Sequence, residues 1–93
     1  MRIRDFELKI YKLEEIIVVI REKRLKDYEG LDYNYERKLE DDKKVYNLRE
    51  RIKESINKVD SSIEFEILNG SGSGDLHIHN RIALGTVRNS YVK

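Results

Sequence analysis

The sequence predicts a mainly α protein with a small β element (α+β), in which an antiparallel, coiled-coil-like two-helix hairpin over residues 1–60 is followed by a C-terminal β-hairpin within residues 61–93. Three observations carry that expectation. Ile3, Phe6, Ile10, Leu13, Ile17 and Ile20 recur at alternating spacings of three and four, the repeat of a single helical face. A second apolar stripe, Leu39, Val45, Leu48, Ile52, Ile56 and Val59, follows a short polar stretch. Beyond Asp60 the period changes to two, with Ile63, Phe65 and Ile67 alternating with Ser62, Glu64 and Glu66, as in a half-buried strand.

The first helix is expected over residues 4–28. A strand reading of Phe6, Leu8 and Ile10 explains three residues where the helical template explains six. Leu8, Ile16 and Val19 widen the apolar face beyond a narrow two-stranded seam. The connection "EGLDYNYE", residues 29–36, offers Gly30 for a left-handed cap and Asp32 or Asn34 to accept from the free amides of a following helix. So short a connection places two long helices antiparallel. The second helix is expected over residues 33–59, weaker in its first half because Asp42 interrupts the stripe. Glu40 with Lys44, Arg37 with Asp41 and Lys38 with Asp42 stand one turn apart and favour a solvated helix surface.

A strand over residues 63–67 and another over 75–80, carrying Leu76 and Ile78 on one face, would form the hairpin around the Gly/Ser-rich loop or linker at residues 70–74. A third strand is expected around Gly85. Alternating Gly and Ser is also the composition of a flexible tether.

Composition excludes several function classes. The chain has 93 residues, 40% charged and 39% apolar, with a net charge of +1. That length fits one small domain. The balanced charge disfavours a nucleic-acid binder, which needs surplus Lys and Arg to neutralise phosphates. The basic positions of the second helix, among them Arg49, Arg51 and Lys53, are interspersed with acids and read as a solvated face. With no cysteine, disulfides and thiolate metal sites are impossible and a reducing compartment is compatible. The run "IIVVI" at residues 16–20 is far short of the roughly 20 residues that span a bilayer. The first ten residues mix acids with bases and do not resemble a secretory leader. A cytoplasmic protein without a membrane segment is expected.

Two stretches invite a chemical reading. In "DLHIHN", residues 75–80, Asp75, His77 and His79 would share one strand face and offer metal-ligating groups. The hexapeptide resembles the first metal-binding motif of the polymerase and histidinol phosphatase family of metal-dependent phosphoesterases. That resemblance covers these residues alone. The family's large barrel and further ligands have no counterpart in so short a chain with two histidines, so membership is not inferred, and half-buried strand packing is the preferred reading. The second stretch is a candidate anion site. Gly72 and Gly74 allow close backbone approach, while His77, His79, Arg81, Arg88 and Tyr91 supply donors and a stacking ring. No Gly-Lys-Ser/Thr follows the glycines, so the phosphate loop of nucleotide hydrolases is absent.

The expected function is a non-enzymatic protein-protein interaction and assembly module without a cofactor. It would self-associate as a homodimer or higher oligomer, bind another protein, and use Ile10, Leu13, Ile17, Ile20, Leu48, Ile52 and Ile56 with the connection tyrosines Tyr28, Tyr33 and Tyr35 as its interface. Two helices touching along one stripe leave apolar surface that association would cover. The alternative is a small-ligand binder that sequesters a nucleotide or other anion between subunits, in the manner of an inhibitor from a mobile element. Metal binding through Asp75, His77 and His79 ranks third.

Overall fold

The computed structural model describes residues 1–22, 26–68, 70 and 80–91. The chain forms α1 (Ile3–Glu14), β1 (Val18–Ile20), α2 (Val45–Asn57), β2 (Phe65–Ile67) and α3 (Leu84–Ser90). This order corrects the expected architecture. Among the described residues no two long helices pair as a hairpin, and β2 pairs with β1 from the N-terminal part of the chain. The expected strand at residues 75–80 lies, apart from Asn80, outside the described residues.

The heptad reading holds only through α1. Ile3, Phe6 and Ile10 are buried along one face, with Asp5 in the first turn and Lys12 in the last suiting the helix dipole. Glu15 then adopts φ 58° and donates its N–H to Tyr11 O at 2.8 Å. A left-handed turn at a non-glycine residue costs on the order of 1 kcal/mol, and it swings the chain out of the helix. All five residues of the "IIVVI" run are β-branched, which favours an extended backbone. Burial there alternates: Ile16, Val18 and Ile20 face the core, while Ile17 is 39% exposed.

Residues 33–44 are not helical. Their apolar residues, Tyr33, Tyr35 and Leu39, supply no continuous stripe, and a helix without a face to bury is marginal in water. The segment instead runs across the core, burying Leu31 and Tyr33. Lys9 fixes its entry, donating to Asp32 Oδ1 at 2.6 Å while the same oxygen accepts the Tyr33 N–H at 2.8 Å. The Lys9 hydrogen bond holds the Asp32 carboxyl below its ordinary pKa.

The starts of α2 and α3 cap one another. Val45 and Tyr46 donate their N–H groups to Ile82 O and Asn80 O at 2.9 and 3.1 Å, and Leu84 and Gly85 donate theirs to Lys43 O and Asp41 O at 2.7 and 3.0 Å. First-turn amides have no partner within their own helix, so each helix start is completed by the loop preceding the other. Asn47 adds a bond from the Lys44 N–H to its Oδ1 at 3.0 Å. A side chain at Gly85 would bring Cβ within 2.8 Å of Asp41 Cβ, so glycine permits this approach. The third strand expected around Gly85 is therefore replaced by α3.

The sheet is antiparallel, with Val18, Val19 and Ile20 opposite Ile67, Glu66 and Phe65. Its far end is closed by a side chain. Tyr91 Oη accepts the Ile17 N–H at 3.1 Å and donates to Leu68 O at 2.5 Å, while the Leu68 N–H reaches Ile17 O directly at 2.9 Å. The hydroxyl thus occupies the place of one ladder hydrogen bond. Burial pushes the Tyr91 phenol above its ordinary pKa. Residues from all five elements contribute to a single core, including Phe6, Ile20, Leu48, Ile67 and Leu84.

Replacing Tyr91→Phe removes both bonds and is expected to cost about 1–2 kcal/mol of stability, read from urea denaturation, together with faster hydrogen exchange at the Ile17 amide. An unchanged midpoint would show that the hydroxyl does not hold the sheet end.

Candidate functional site

The centre of the molecule is a buried ion cluster around Glu14. This last residue of α1 is wholly buried. Its Oε2 accepts hydrogen bonds from Tyr33 Oη and from Arg51 Nη1, the latter at 2.8 Å, and its Oε1 accepts the Leu39 N–H at 2.8 Å. Arg88 of α3 donates Nε to Glu14 O at 2.7 Å and places Nη2 3.6 Å from Oε1. Asp41 closes the charge balance at the rim, 2.8 Å from Arg88 Nη1. Arg51 also donates to Arg37 O at 2.7 Å and lies over the Tyr35 ring at 4.4 Å.

Burial, followed by the hydrogen bond to Glu14 and that carboxylate's charge, pushes the Tyr33 phenol far above its ordinary range. Burial also opposes charge on Arg51, but its bonds to Glu14 and Tyr33 outweigh this and raise its pKa. The concave surfaces described below are not lined by Glu14, Tyr33, Arg51 or Arg88. The cluster therefore clamps α1, the crossing segment, α2 and α3 together.

The residues singled out from sequence are dispersed by the fold. Ile10, Ile20, Tyr33, Leu48, Ile52 and Ile56 are core residues of one chain, Leu13, Tyr28 and Tyr35 pack partly buried against them, and Ile17 is exposed. Arg88 belongs to the Glu14 cluster and Tyr91 to the sheet end, while Arg81 is exposed. Gly72, Gly74, Asp75, His77 and His79 lie outside the described residues. Among the described residues no three His, Cys, Asp or Glu side chains are grouped to hold a metal ion, and no helix is long and apolar enough to cross a membrane.

The two edges of the sheet differ. Along β1, the Ile20 N–H donates to Glu7 Oε2 of α1 at 2.7 Å, so a buried carboxylate covers that edge. Beside it lies an apolar depression of about 310 Å³ lined by Leu8, Tyr11 and Ile17 with Glu7, Val18 and Val19. Arg21 N–H donates to Glu64 O and Leu68 N–H to Ile17 O, which sets the bonded pairs at alternate residues and turns the Phe65 amide and carbonyl away from β1.

These groups face a groove of about 690 Å³ between β2 and α2. Ile56, Ile63 and Phe65 give it an apolar floor, Arg49 and Lys53 stand one turn apart on its α2 wall, and Glu64 and Glu66 line the strand side. Arg21 reaches Glu66 at 2.5 Å across the rim. Glu64 and Phe65 point to opposite faces of a strand, so a groove touching both runs along the outer edge of β2.

Sequence reasoning found the alternation of residues 63–67 but not the groove. It assigned Arg49 and Lys53 to a solvated helix face, and the signal it passed over was the β-branched run that supplies β1. No protein family, curated protein or solved structure matches this chain, so function is argued from this geometry alone.

Removing the charge with Glu14→Gln is expected to destabilise the fold by about 3–5 kcal/mol in urea denaturation, because Arg51 loses its counter-charge and Arg88 keeps only Asp41 at the rim; a loss below about 1 kcal/mol would contradict the clamp. Tyr33 adds a pH dependence. An unfolded tyrosine ionises near pH 10, whereas the folded Tyr33 keeps its proton, so stability is fully present below that pH and falls as pH rises above it. Urea midpoints should decline between about pH 9 and 11, and less steeply in Tyr33→Phe.

Proposed function

We propose that this chain is a non-enzymatic protein-protein interaction module whose contact surface is the groove between α2 and the outer edge of β2. The observation that carries this reading is the combination in one 690 Å³ concavity of an apolar floor, Ile56, Ile63 and Phe65, with charged side chains along its walls. A groove of that size with a few convergent polar groups is the default binding site of a small domain. Most of the residues first read as a self-association surface, among them Ile10, Ile20, Leu48, Ile52 and Ile56, are inside the core, which favours this groove as the contact surface.

The occupant that fits is a segment of a partner protein with an acidic side chain against Lys53 and an apolar side chain on Phe65, Ile56 and Ile63. Charge complementarity to Lys53 on the α2 wall sets that choice. No catalytic step is assigned. The reading assumes a cytoplasmic setting, with which a cysteine-free chain is compatible.

The test is selection of binding peptides from a displayed random library, followed by mapping of their contacts through amide chemical shifts. Selected peptides are expected to carry an acid, to perturb Lys53 and residues 63–66, and to lose about tenfold or more in affinity, about 1.4 kcal/mol, against Lys53→Glu with its circular dichroism unchanged. Peptides that map to Leu8, Tyr11 and Ile17, or a library without any binder, would overturn the assignment. So would a small organic anion that saturates Lys53 where no peptide binds.

A further inference from the structure

We infer that the solvent face of α1 pairs with the same face of a second copy of this chain, antiparallel, about a twofold axis between Leu8 and Tyr11. Both side chains are large and apolar, yet each is 49% exposed. They adjoin the depression of about 310 Å³ that Ile17 and Val19 line along β1. A contiguous apolar patch rimmed by charge marks a contact site. None of its lining residues belongs to the groove between β2 and α2, so the inference stands apart from that groove.

The charges along α1 identify what covers it. Arg4, Leu8, Tyr11 and Glu15 follow one another at spacings of four, three and four, which places them in one stripe. Arg4 and Glu15, at its two ends, each have more than half of their side-chain surface open. A twofold contact must be self-complementary, residue i meeting j and j meeting i. This stripe satisfies that condition: Leu8 of one copy meets Tyr11 of the other, and Arg4 meets Glu15. In the neighbouring row Asp5 and Lys12, both exposed, approach each other across the axis within one helical turn. A parallel pairing would set Arg4 against Arg4 and Glu15 against Glu15.

Contacts within the chain are kept. Glu15 holds Lys38, and Arg4 lies 3.8 Å from Asp5, so the pairs across the axis extend these exposed ion pairs instead of replacing them. Such rim charges set orientation more than affinity. Affinity comes from covering Leu8, Tyr11 and the mouth of the depression. With 12 residues in α1, the face is small beside the area of a tight interface. The dimer is therefore reversible, with a Kd on the order of 100 µM.

The test is sedimentation velocity of the full chain between about 10 µM and 1 mM. A monomer–dimer equilibrium is expected, and Leu8→Asp, at an exposed position, should weaken it about tenfold or more with circular dichroism unchanged. Arg4→Glu and Glu15→Arg each set like charges across the axis and should each weaken self-association about threefold or more. Mixed together, these two variants should pair with one another more tightly than either pairs with itself. Asp5→Lys and Lys12→Asp supply the same exchange of charge if Glu15→Arg disturbs the left-handed turn after α1. A chain that stays monomeric at about 1 mM, a dimer that Leu8→Asp leaves intact, or mixtures with no preference over the separate variants would overturn the inference. So would amide shifts at Leu8 and Tyr11 when phospholipid vesicles are added to a monomeric chain.

Discussion

A carboxylate without water has to be surrounded, and in this molecule the surrounding of Glu14 sets the layout of almost everything else. Removing a charge from water costs several kcal/mol unless hydrogen bonds and counter-charges replace the solvent. The replacements here come from three parts of the chain: Tyr33 and Leu39 from the crossing segment, Arg51 from α2 and Arg88 from α3. No single helix pair could supply them. The turn at Glu15, the passage of residues 33–44 over the core and the docking of α3 each bring one partner into place. Apolar packing supplies the bulk of the driving force, while the carboxylate selects which packing arrangement is tolerated.

The same economy separates scaffold from surface. Charged groups that reach inward, Glu14 and Arg88 above all, are held by named partners. On the other side of the frame Glu7 of α1 takes up the Ile20 N–H of β1, while a groove lies between β2 and α2.

Much of the core was legible in the sequence, and much of the path through it was not. Ile3, Phe6 and Ile10 are buried on one helix face as their spacing requires, and Leu48, Ile52 and Ile56 are buried likewise on α2. The repeat misled beyond Glu14 because Ile17 and Ile20 continue a spacing of three and four that their β-branched neighbours contradict. Periodicity counts positions and is blind to branching at Cβ, which decides between helix and strand in so short a run. Glu15 carries no glycine-like signal for its left-handed turn. The roles of Arg88 and Tyr91 were hidden for another reason: their partners lie 74 positions away, and a single sequence contains no trace of such pairings. Gly85 was noticed only as a strand break, since the close approach of Asp41 is visible in three dimensions alone.

The mutual capping of α2 and α3 bears on how the chain reaches this state. Amides at residues 45 and 46 wait for carbonyls at 82 and 80, and those at 84 and 85 turn back to 43 and 41. Neither helix start is complete before the other arrives, and the intervening chain must first be looped at an entropic penalty. Topologies dominated by such distant pairings fold slowly. On the ribosome, α2 would remain frayed until residues 80–85 emerge, so the interior would set late and nearly all at once.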